Sequence, residues 1–221
     1  MHLSAYLIFC LFAATLAGMR MYLTGTTLLV SFVWNLILAF LPYIFALSYT
    51  TWKGKGRGIF LFFWLLFLPN SFYIITDFVH LPKYPDMIYF DIVYISAMSF
   101  AGMVSGFASM EIIHKEWNKK YHKHLSWFLI VVILLISTIG VYMGRFLRFN
   151  SWDILHAPGN LVRETWILIA SNGRTWNISD PNRALESQLF EVGALGLWQF
   201  TLLYFSFFLL VYVYIYHVKK S

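Results

Sequence analysis

Apolar residues fill this chain in blocks longer than a soluble core helix needs, and most links between the blocks are short and polar. Crossing the hydrocarbon of a bilayer takes about 20 mostly apolar residues, and six segments approach or exceed that length: 3–19, 27–49, 58–75, 87–113, 125–143 and 190–217. The pattern predicts an all-α fold: a polytopic membrane helix bundle with six transmembrane helices, forming a single domain over 1–221. No Lys/Arg-rich leader precedes the first block and several spans follow it, so it reads as a retained helix. Between the fifth and sixth blocks lies the one long link, 145–188. Leu161, Val162, Thr165, Trp166 and Ile169 recur there at helical spacing with Arg163 and Glu164 between them, which predicts a short amphipathic helix at the outer interface.

Exceptions inside the blocks carry the next layer of information. In the third, Leu68-Pro69-Asn70-Ser71 places a proline where a helix loses a backbone donor, and Asn70 or Ser71 is expected to satisfy the freed carbonyl. Ala97, Ala101, Ser105 and Ser109 recur every four residues in the fourth block, with Gly102 and Gly106 beside them, and the fifth ends with Gly140 and Gly144. Small residues at that spacing let backbones approach closely, so these two spans are expected to form the packed centre. Ser31 and Asn35 share a face of the second block, as interhelical hydrogen bonds require, and Pro42 predicts a second kink.

Charge orients the blocks. Of 221 residues 60% are hydrophobic and 12% charged, with a formal net charge of +6, but the basic residues lie in links between spans, so the excess is a topology signal and nucleic acid is excluded as a partner. Lys53, Lys55 and Arg57 lie in one link, Lys115, Lys119, Lys120 and Lys123 in another, and Lys219 and Lys220 end the chain. By the positive-inside rule all three are cytoplasmic, with both termini inside. This arrangement sends eight of nine lysines inward, all but Lys83, and six of seven arginines outward, all but Arg57. Lysine then acts as the topology signal, while arginine is free to pair with carboxylates. Cys10 is the only cysteine and sits in an apolar run, which excludes an intramolecular disulfide and a thiolate metal cluster.

Chemistry gathers in two motifs. Trp64 to Leu81 reads WLLFLPNSFYIITDFVHL, and Gly144 to Asp153 reads GRFLRFNSWD. With both in view the chain resembles an uncharacterised prokaryotic membrane-protein family, domain-of-unknown-function family 1361, the likeness spanning the third to fifth helices and including an aspartate at the start of the fourth, here Asp91. Ser71 and Phe72 stand where the family pattern has a small residue and proline. The resemblance implies a prokaryotic cytoplasmic (inner) membrane protein and supplies no activity and no cofactor.

Both motifs end helices that leave on the same side. Asn70, Asp77, His80, Asp91, Arg145, Arg148, Asn150, Trp152 and Asp153 are therefore expected to meet in one outward-facing polar pocket. Ionisable groups cost roughly 2.5–3.5 kcal/mol each at the bilayer centre, so such a cluster needs partners or a role. Arg145 and Arg148 share a face if the helix continues, and two guanidinium groups there suit a small anionic ligand or a lipid headgroup. Asp77 and His80, three apart, form a candidate acid/base pair for a hydrolase or transferase. Asp77, His80 and Asp91, joined by His156, are the candidate ligands of a divalent metal. The pocket would alternatively be a transporter vestibule beside a broken third helix, or the charges would simply lock helices together. Transport lacks a carrier at mid-membrane, where Ser31, Asn35, Ser99, Ser105, Ser137 and Thr138 are the polar residues. The rhomboid protease dyad fails: Met103-Val104-Ser105-Gly106 has Met where its glycine belongs, and His217 lies at the cytoplasmic end of the last span. His114, His122 and His124 sit among lysines and read as a solvated basic loop. Cysteines introduced at His80 and Arg148 should be labelled by an impermeant thiol reagent from one side, and a cysteine at Lys53 from the other; labelling of the first two from opposite sides removes the proposed centre.

Overall fold

A computed structural model describes residues 3–25, 30–83, 87–147, 158–171 and 196–218, and among these the chain forms seven α-helices and no strand. They are α1 (Leu3–Thr24), α2 (Val30–Thr51), α3 (Gly58–Tyr73), α4 (Ile88–Lys120), α5 (Lys123–Tyr142), α6 (Pro158–Ser171) and α7 (Leu197–Val218). A 3-10 turn, Lys55–Arg57, precedes α3, a 3-10 helix, Ile74–Lys83, follows it, and a π-turn, Met143–Leu147, ends α5. Five segments are long and apolar enough to cross a membrane, containing α2, α3, α4, α5 and α7, and α1 contributes a shorter apolar stretch, Ile8–Thr24. The bundle is thus the helical membrane fold expected, and α1, at 22 residues, is as long as α2 and α7. At 33 residues and about 1.5 Å per residue, α4 is some 50 Å long, so it outreaches the hydrocarbon and carries Glu111, His114 and Glu116 towards the lysine-rich end.

Helix formation here follows from the medium. Without water to satisfy backbone groups, an apolar segment closes its hydrogen bonds internally, and the exposed apolar side chains Leu11, Ile37, Leu202, Leu210 and Tyr214 then face lipid. Both prolines are absorbed inside helices: α2 remains helical through Pro42 and α3 through Pro69. Asn70 donates its amide to the Phe67 carbonyl within the Pro69 turn, while Ser71 Oγ leaves its own helix and donates across to the Ala39 carbonyl of α2 at 2.7 Å, in the turn that Pro42 loosens. The third span is therefore continuous, and its serine serves a neighbour.

The small residues of α4 and α5 serve α3 more than each other. A Cβ on Gly102 would lie 2.8 Å from the Ser71 carbonyl oxygen, one on Gly106 would lie 2.7 Å from the Ser71 Cβ, and one on Gly140 would lie 2.8 Å from the Pro69 ring. So α3 packs along α2 and is held between the glycine faces of α4 and α5, and the α4 and α5 spans are the most buried of the bundle, as expected of its packed centre. Below this crossing Phe72, Phe107 and Phe208 pack with ring centroids 4.6–6.3 Å apart, and Leu68 and Met110 are buried with them. Ser137 and Thr138 return their hydroxyls to their own helix, at the Ile133 and Leu135 carbonyls. At the lysine-rich end His114 departs from the solvated loop expected of it: it is buried, its Nδ1 lies 2.8 Å from the Tyr212 hydroxyl, and Tyr216 stacks on its ring. Arg57 there pairs with Glu116 and lies over the Tyr49 ring, an exposed interaction of small energetic weight.

Gly102→Ala should lower stability by about 1–3 kcal/mol, because a backbone carbonyl cannot step aside as a side chain can. Gly18→Ala, whose added methyl meets open space, should leave it unchanged or slightly raised. Thermal unfolding of the two variants in the same detergent compares them.

Candidate functional site

Two ion pairs lie at the end of the bundle opposite the lysines. α3 gives way to the 3-10 helix at Ile74, which carries Asp77 inward between α2, α4 and the end of α5. Arg145 reaches the same point from the π-turn. Its Nη1 donates to Asp77 Oδ1 at 3.0 Å and to the Tyr73 hydroxyl at 3.2 Å, and the guanidinium carbon lies 5.8 Å from the Tyr73 ring centre. The side chains of Arg145 and Asp77 are 8% and 2% exposed, so this is a buried pair and not a rim contact. Asn35 of α2 turns its amide toward the same carboxylate. Oδ2 of Asp77 is buried and has no hydrogen bond of good geometry among the described residues. An acceptor left in that state is costly and calls for a specific donor, because a buried charge-bearing oxygen loses its water without replacement.

The second pair is one the sequence reading missed. Near the end of α1, Arg20 donates from Nε to Asp91 Oδ1 at 2.8 Å and from Nη2 to Asp91 Oδ2 at 3.0 Å, with side-chain exposures of 6% and 2%. This is the bidentate fork for which arginine is suited and lysine is not. Both oxygens of Asp91 are occupied, so it stands as a staple between α1 and α4. Between the two pairs lies Tyr94, fully buried and within electrostatic reach of both carboxylates. The centre thus contains two arginines, two aspartates and two tyrosines drawn from α1, α3, α4 and the segments that follow α3 and α5.

Against the expected pocket, the structure brings Asp77 and Arg145 together, gives Asp91 to Arg20, and turns the Asn70 amide to its own helix. His80 follows Asp77 by one turn of the 3-10 helix, a register in which residues three apart lie directly above one another along the backbone. Its side chain, and all of Arg148, Asn150, Trp152, Asp153 and His156, lie outside the described residues. The backbone at Arg145 is π-helical, so the shared α-helical face expected of Arg145 and Arg148 does not begin there. Among the described residues no three of His, Cys, Asp and Glu converge as metal ligands do. Arg20, Tyr73 and Tyr94 are the members that spacing did not single out, whereas Asn35 was expected to hydrogen-bond between helices and turns to Asp77. The signal available for Arg20 was polarity: it is a charge at the edge of an apolar block.

The model of a family described as a protein of unknown function (DUF1361) matches residues 34–179, which includes α3 to α5, Asp77, Asp91 and Arg145 and leaves out α1 with Arg20. No curated protein and no solved structure matches the chain.

Removing one partner of either pair strands a buried charge. Arg20→Ala or Asp91→Ala should each cost about 3–5 kcal/mol, and the double replacement Arg20→Met with Asp91→Leu clearly less than either. Unfolding of the three variants in a common detergent distinguishes this from additive losses.

Proposed function

We propose that this chain, which belongs to the DUF1361 family of unknown function, is a membrane protein that binds a small anionic or lipid-headgroup ligand at the arginine-rich end of its bundle. The observation that carries the reading is the contrast between its two buried aspartates. Asp91 is closed by a bidentate arginine and does structural work. Asp77 is held by Arg145 through Oδ1, with the Asn35 amide turned toward the carboxylate, and its buried Oδ2 has no hydrogen bond of good geometry among the described residues. A carboxylate that exists only to lock helices gains nothing from a bare oxygen; one that accepts a hydrogen bond from a bound molecule or an ordered water needs it.

Two departures from α geometry meet at this point, and such departures concentrate where side chains must be aimed. The 3-10 helix presents Asp77, with His80 one turn on, and the π-turn presents Arg145 just before Arg148. In this reading Arg148, with Asn150, Trp152 and Asp153 beyond it, supplies the anion-binding side, and the Asp77 carboxylate orients the polar end of the ligand. A histidine oriented by Asp77 would give the site acid/base capacity and make the chain a hydrolase or transferase acting on a headgroup. Transport is the weaker reading, because Phe72, Phe107 and Phe208 fill the interior between this end and His114. The positive-inside rule puts the site on the outer face of a prokaryotic cytoplasmic membrane, with both termini inside.

Native mass spectrometry of protein released from membranes should find a retained lipid or small anion on the wild type. Arg148→Ala and Asp77→Asn should each lose it, while the Arg20→Met, Asp91→Leu pair keeps it. Identical adducts on all four proteins, or none on the wild type, overturn the reading.

A further inference from the structure

Two described side chains of α6, Thr165 and Ile169, fasten it to the bundle. Thr165 Oγ1 donates to Met143 Sδ at 3.5 Å, and Ile169 packs against the main apolar cluster. Met143 falls near the end of the candidate span Lys123–Phe146. The helix is therefore tied at the depth where a transmembrane segment ends, not beyond it.

Its other side is apolar and bare. Val162 is 69% and Trp166 72% exposed; they are four residues apart, on one face, with exposed Ala170 continuing the stripe and Arg163 at its edge. The same degree of exposure recurs on α7 at Leu202 and Leu210, 69% and 70%, on a helix apolar and long enough to cross the membrane. We infer that the Val162–Trp166 face of α6 is seated in the bilayer, at the boundary between headgroups and acyl chains, with Arg163 directed at the phosphates. Three features converge on lipid as the occupant. The face is as exposed as Leu202 and Leu210 of the membrane-crossing α7. Tryptophan prefers the headgroup level, where its ring is in contact with chains and its indole N–H with water. An arginine flanking an apolar stripe complements phosphate and can extend toward it. α6 is then an in-plane anchor that fixes how deep the π-turn and Arg145 sit.

Because Cys10 is the only cysteine, a Cys10→Ser background gives clean single-site labels. Spin labels at Val162, Arg163 and Trp166, with Leu202 as the lipid reference, are measured in nanodiscs of phosphatidylethanolamine and phosphatidylglycerol. Labels at 162 and 166 should be relaxed by oxygen at least threefold more than by a neutral nickel chelate, as at 202, and the label at 163 should show the smaller ratio of a headgroup position. A nickel preference at 162 and 166 means water covers the face. Protection from both relaxants means protein covers it, either another segment or a second copy. Either result overturns the inference.

Discussion

Everything at the polar end depends on how closely α3 can approach α4. In lipid there is no hydrophobic drive between helices, so association rests on backbones coming near enough for dispersion and hydrogen bonds. Gly102 and Gly106 provide that approach by having no Cβ where Ser71 passes, and Gly140 does the same for Pro69 on the α5 side. Ser71 then reaches the Ala39 carbonyl, so three backbones meet at one level. The exit of α3 is fixed by this contact, and with it the place where Asp77 comes to face Arg145.

Given that placement, the charges sort themselves by what each lacks. A carboxylate near the bilayer has to be neutralised, and arginine does this with more geometric control than lysine because its donors are fixed in a plane. At Asp91 the control is complete, and the result is a fastening of α1, which among its described residues otherwise buries Ala13 and Ala17. At Asp77 the neutralisation is partial. The Tyr73 hydroxyl takes a share of the same Nη1 that serves Oδ1, which leaves the pair polarised toward one oxygen. In the proposed reading, structural and functional roles divide between two chemically identical side chains, and the division is made by their neighbours.

Much of this was legible in the chain and some was not, for identifiable reasons. Length and apolarity announced the spans because a bilayer imposes both. The meeting of Asp77 with Arg145 followed from alternation: segments that end on the same side can be neighbours. Arg20 with Asp91 was not readable in this way, since Arg20 falls past the apolar block expected at 3–19 and looks like a boundary residue. The small residues marked α4 and α5 as the packed centre, and these are the most buried spans. Spacing tells that a face is flat, not which helix lies on it, and the helix that Gly102, Gly106 and Gly140 receive is α3. His114 was assigned to a basic loop by its lysine neighbours, whereas the helix carries it back among Trp127, Tyr212 and Tyr216.

The π-turn at Met143–Leu147 has a consequence for how this end of the molecule tolerates change. A π-turn is an α-helix with a residue inserted, and each residue of helix corresponds to a rotation of about 100°. Deleting Met143, which precedes Arg145 and lies outside the Gly144–Asp153 motif, would restore regular winding and swing the following side chains around the helix axis by that amount. Arg145 would then be aimed away from Asp77 even though every amino acid of the pair remained. For this segment the length of the chain is as much a determinant as its composition, and a shortened sequence with both motifs intact would carry the letters of the site without its geometry.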